Sequence, residues 1–206
     1  MATFTSSNRV SLKFPIERAL AKKDSVICRD ANIPSSLVHE IEIIPPNPKP
    51  GDQIKIKIKG ACDERVPVEI CYEQTVPVVA NTVMVQINNV QVHWPKNRLF
   101  IEAKSVSTMN VAAKFLLWIY KKVEVVNGVA QHTLRDMPKG AYSVKMNGTV
   151  LQGTSCVSIK ITAFSELHLD EAGSYVYTFH PNPERGGNLA VRCNQIVKYV
   201  EIKPPE

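Results

Sequence analysis

Apolar and polar residues alternate along most of this chain from His39 onward. The clearest case is residues 53–59, where Ile54, Ile56 and Ile58 fall on one face and Lys55, Lys57 and Lys59 on the other. A period of two residues marks a strand with one buried face. Further alternations predict strands at residues 41–44, 66–74, 82–92, 99–106, 129–134, 142–146, 156–164, 166–169, 175–179, 189–193 and 196–202. Turn chemistry separates them: the proline-rich corner Pro45-Pro46-Asn47-Pro48-Lys49-Pro50-Gly51-Asp52, then Gly60, Asn127-Gly128, Pro138-Lys139-Gly140, Asn147-Gly148 and Asp170-Glu171-Ala172-Gly173. About a dozen short strands spaced roughly ten residues apart is the pattern of an all-β sandwich.

Residues 109–125 carry two periods at once. Ala112, Phe115, Leu116, Ile119 and Val123 fit a helical stripe, whereas Phe115, Leu117 and Ile119 alternate. The segment runs into Val123-Glu124-Val125-Val126 and then Asn127-Gly128, the strongest short hairpin signal. Its β-branched residues and that turn favour one long strand or a strand pair over a helix. Trp118, in the middle of the most apolar run, is read as a core residue.

The first 37 residues differ from the rest. In Arg9-Val10-Ser11-Leu12-Lys13-Phe14-Pro15-Ile16, the residues Val10, Leu12, Phe14 and Ile16 alternate with polar ones, and Pro15 suits a strand edge. Residues 17–23 fit a short helical turn, and Asn32-Ile33-Pro34-Ser35-Ser36 reads as a linker. Residues 1–37 are therefore expected to be an extension whose amphipathic strand either pairs with another molecule or folds back onto its own sandwich.

Three turn motifs carry a resemblance. Pro48-Lys49-Pro50-Gly51-Asp52 leading into residues 54–60 resembles the opening corner of bacterial and archaeal immunoglobulin-like surface modules. Asp136-Met137-Pro138-Lys139-Gly140-Ala141-Tyr142-Ser143-Val144 resembles the entry to a late strand of such modules, and Asp170-Glu171-Ala172-Gly173-Ser174-Tyr175 resembles their hairpin. The resemblance implies an immunoglobulin-like antiparallel sandwich. One such module takes about 100 residues, so two in tandem are expected, over residues 38–126 and 127–206. A single elaborated sandwich is the alternative.

Composition narrows the function classes. A content of 44% hydrophobic and 21% charged residues, with 14 prolines against 9 glycines, fits a globular protein of short strands and stiff connections. The net charge of +6 is spread over strand faces, and the lack of a basic run interleaved with aromatics argues against a nucleic-acid groove. The longest apolar stretch, residues 115–120, is far short of the roughly 20 that a spanning helix needs. Residues 1–10 lack the apolar region of a secretory signal, so the chain either stays inside or is a mature form.

Candidate chemistry is sparse. His39, His93, His132, His168 and His180 are scattered, the five cysteines form no C-x-x-C pair, and no nucleophile elbow or phosphate loop appears. No metal and no cofactor is expected. Cys62, Cys71, Cys156 and Cys193 are either small buried hydrophobes or partners in one or two disulfides. Trp94, beside His93 in a turn, either caps the sandwich or touches a ligand or a neighbouring subunit. Asn147 opens a glycosylation sequon that matters only in an exported protein.

These readings converge on a non-enzymatic structural subunit of a filament or surface assembly. Its N-terminal strand, through Val10, Leu12, Phe14 and Ile16, would pair with a sheet edge of the next copy. The alternatives are a monomeric or dimeric module that binds a glycan or a protein through its loops, and a β-sandwich metal or redox protein. An extracellular or cell-surface location follows from the resemblance.

Overall fold

The computed structural model describes residues 38–203, apart from 63, 93–96, 115 and 181–184. Val10, Leu12, Phe14 and Ile16, and also His93 and Trp94, lie outside the described residues. The described chain is all β: β1 (Val38–Ile44), β2 (Ile54–Gly60), β3 (Arg65–Pro77), β4 (Thr82–Val92), β5 (Asn97–Lys104), β6 (Met109–Lys114), β7 (Trp118–Val123), β8 (Val125–Val126), β9 (Val129–Arg135), β10 (Gly140–Thr149), β11 (Cys156–His168), β12 (Ser174–Phe179), β13 (Gly187–Cys193) and β14 (Ile196–Ile202).

Every pairing is antiparallel. The strands form a three-stranded sheet in the order β1-β2-β12, a four-stranded sheet β4-β10-β6-β7, and a seven-stranded sheet β14-β13-β3-β11-β5-β9-β8. The alternation seen in the sequence sets which face is buried. Ile54, Ile56 and Ile58 are fully buried, and they join one continuous core with Val66, Val68, Ile70 and Tyr72 of β3, Val83, Val85 and Ile87 of β4, and Val144 and Met146 of β10. Tyr72 of the large sheet packs its ring 5.2 Å from that of Phe179 in β12. Tyr177 of β12 donates a hydrogen bond to the Gln91 carbonyl of β4, joining the two smaller sheets.

The expected division into residues 38–126 and 127–206 does not survive the strand order. β11 pairs along its whole length with β3, from Cys156 opposite Pro77 to His168 opposite Arg65. β10 lies between β4 and β6, and β12 pairs with β2. Each sheet thus takes strands from both halves, and Ser35–Glu206 forms one compact unit. Turn spacing gives the number of strands but not their partners, which is why a module length was a poor guide to the boundary.

The turns obey their residue chemistry, with one exception. Asn127 and Gly128 both adopt positive φ, 52° and 76°, as a two-residue hairpin between β8 and β9 requires. The Asp170 carboxylate accepts bonds from the Ala172 and Ser174 backbone N–H groups and from the Ser174 hydroxyl. The Ser174 bonds, that of its backbone first, hold the acid below the usual carboxylate range. The exception is Asn147-Gly148, which lies inside β10 and makes no turn. A Cβ on Gly148 would collide with the Thr108 carbonyl oxygen, so glycine here serves a close backbone approach. Residues 156–164 and 166–169, expected as two strands, largely form the single strand β11.

A chain interlaced in this way unfolds as one unit. Ile56→Ala in the first half and Leu189→Ala in the second should each cost about 2–5 kcal/mol, because both side chains are buried in the common core. Urea denaturation followed by fluorescence and by far-UV circular dichroism should show one coincident transition moved down by either change.

Candidate interaction surface

The surface that stands out is the end of the β6–β7 hairpin. Its register runs from Met109 opposite Val123 to Lys114 opposite Trp118. At the root, Met109, Val111 and Val123 are buried. Toward the turn the cover ends: Ile119 is 75% exposed, Tyr120 63%, and Leu116 and Leu117 each 79%. In a strand with one buried face, alternate residues should be polar. Here consecutive residues are apolar and open to solvent, so both faces of the hairpin's end are apolar.

Trp118 is not the core residue that its neighbours implied. It is only half-buried, its ring lies 6.2 Å from that of Tyr120, and the Lys114 ammonium sits 5.9 Å from the Trp118 ring centroid. That spacing is within the range of a cation–π contact. Lys121 and Lys122 follow on β7, both exposed, and no carboxylate lies between positions 114 and 122. Two lysines of β2 have carboxylate partners: Lys57 with Glu42 at 3.5 Å and Lys59 with Glu40 at 3.0 Å. Among the described residues no ion pair engages Lys114, Lys121 or Lys122. Burial, and then the charge of Lys121, keep His132 of β9 below its ordinary value.

The remaining candidates do not gather into a site. Cys62, Cys71, Cys156 and Cys193 are all free thiols, so the disulfide alternative is not formed among them. The register explains this, since Cys71 lies opposite Ala190 and Thr162, and Cys193 opposite Val68 and Ile196. Burial pushes the Cys193 thiol up to about 11 and raises that of Cys71, the latter opposed by a hydrogen bond with Thr162. Asn147 is half-buried inside β10, between β4 and β6, whereas a sequon in use belongs on a surface loop. Among the described residues no group of three or more His, Cys, Asp or Glu side chains is placed to hold a metal ion.

Nor is there a chamber for a small molecule among the best-formed cavities of the described residues. One, of about 20 Å³, lies where the three sheets meet and is lined by Ile70, Tyr72, Ile87, Val90, Tyr177 and Phe179, among others; a second is about 10 Å³. Each is at most the size of one water molecule. A polar cluster at one rim, in which His180 contacts Asn89 at 2.7 Å and Gln53 at 3.3 Å, is closed on itself by side-chain amides. No family model, curated protein or solved structure matches this chain.

The hairpin's exposed end was overlooked in the sequence because a run of six apolar residues resembles a core strand. The available signal was its frame: lysine at 114 and lysines at 121 and 122, with apolar residues in both phases between them. The thiols give a direct check on the surface described here. Brief iodoacetamide treatment at pH 8, read by peptide mass spectrometry, should alkylate Cys62 and Cys156 while Cys71 and Cys193 react only after denaturation.

Proposed function

We propose that the chain is a non-enzymatic structural subunit whose N-terminal strand, residues 9–16, adds to an open sheet edge of another copy. The observation that carries this reading is the presence of such edges. β1, β7 and β14 each pair with one strand only among the described residues. β14, seven residues long, is comparable in length to the alternating tail segment, and it exposes Tyr199 on its surface. An unpaired edge has open N–H and C=O groups, and an amphipathic strand laid along it satisfies them while burying its apolar side chains. The contact is head-to-tail and propagates when it does not close into a ring.

The immunoglobulin-like resemblance supports this reading through the turns. Tyr142 donates to the Pro138 carbonyl at 3.0 Å, four residues upstream, in the manner of the tyrosine corner of immunoglobulin domains. It is also the ground for a cell-surface location, to which no disulfide among the described residues contributes. The open aromatic surface around Trp118 and Tyr120 favours a second reading, a monomeric or dimeric module that binds a glycan or protein.

Light scattering across a concentration series decides between them. The full chain should form large, defined polymers, and a chain lacking residues 1–24 should stay monomeric. Two monomers of equal stability would overturn the structural reading and put the binding module first.

A further inference from the structure

The tail-mediated assembly leaves the end of the β6–β7 hairpin unexplained, and the chemistry of that end names a different kind of partner. We infer that Lys114 and residues 116–122 dock on an anionic lipid bilayer, with the apolar end inserted into the interface and the lysines against the headgroups. A contiguous exposed apolar patch marks an interaction site in a soluble protein. What covers it is limited by its shape. Leu116 and Leu117 lie beyond the last paired position, Lys114 opposite Trp118, so no added strand reaches them. Ile119 and Tyr120 are adjacent in β7, point to opposite faces, and are both exposed. A protein edge or groove covers one face. A bilayer surrounds the end on all sides.

The order of residue types along the hairpin matches the layers of a membrane surface. Leucines occupy the turn, Trp118 and Lys114 face each other at the first paired position behind it, Tyr120 comes next, and Lys121 and Lys122 follow toward the body of the protein. Tryptophan and tyrosine collect at the level of the headgroups because each has an apolar ring and one polar group. Lysines near the surface are attracted to anionic lipid, and their stems cover apolar surface while the ammonium groups reach the phosphates. No carboxylate lies between 114 and 122, and among the described residues no ion pair engages these lysines. This is attachment to one leaflet. No helix among the described residues is long and apolar enough to cross a membrane.

The inference is independent of the tail, and its test is vesicle flotation of the full chain, which separates bound protein from polymers that merely sediment. In a Trp94→Phe background, Trp118 is the sole tryptophan reporter. The chain should float with equimolar phosphatidylcholine–phosphatidylserine vesicles, with a blue shift of Trp118 fluorescence, and only weakly with phosphatidylcholine alone. Leu116→Ser with Leu117→Ser, and separately Lys121→Glu with Lys122→Glu, should each reduce binding at least about tenfold. If a double variant loses its urea midpoint, Ile119→Ser replaces it. Absence of flotation with the anionic vesicles, or undiminished flotation of either variant, overturns the inference. So does loss of self-association in the leucine variant of a chain that never floats, which would assign the hairpin to a second copy.

Discussion

The pairing of β3 with β11 is the constraint on which the rest of the structure depends. It joins two long strands from opposite halves of the chain, and it lies at the centre of the seven-stranded sheet. Through β11 it places β5 and β9, and through β3 it places β13 and β14. The buried faces of β3 and β11 are also the floor on which Phe179 and Tyr177 of β12 and Ile87 of β4 rest around the central cavity. Contacts so distant in sequence close large loops before they gain anything, so a fold of this kind is slow to form and stable only when complete.

Completion leaves the lateral ends of the sheets unequal. At the root of the β6–β7 hairpin, Met109 and Val123 are held in the core, while a few residues further Ile119 and Tyr120 have nothing over them. Burial therefore fixes one end of the hairpin and frees the other. A buried root with an exposed apolar, lysine-framed end is the feature on which the inferred lipid contact rests. The open edges of β1 and β14 are a separate resource, made of backbone groups, and they suit a separate contact. The proposed assembly through one and the proposed attachment through the other would not compete.

Much of the strand content was legible in the sequence, because period-two alternation follows directly from one-sided burial. The β2 isoleucines, the β4 bounds and the Asn127-Gly128 turn are cases where local chemistry decides the outcome. What was not legible depended on partners far away. Asn147-Gly148 has the residues of a turn, yet the Thr108 carbonyl, just ahead of β6, makes glycine necessary there for closeness. The two-module division failed for the same reason, since no local signal tells β11 to cross back between β3 and β5. Trp118 failed differently. Apolar neighbours predict burial only where a second layer is present, and the sequence does not say where that layer stops.

Strands from residues 38–126 and 127–206 share one core, and native-state hydrogen exchange tests this directly. Backbone amides of β3 and β11 should exchange only through global opening, with equal free energies in both strands and in β10 and β2, while amides near Leu117 exchange freely. If the amides of β10 to β14 instead exchanged together at a distinctly lower free energy than those of β1 to β5, the two halves would be separate folding units, and the interlaced core would be wrong.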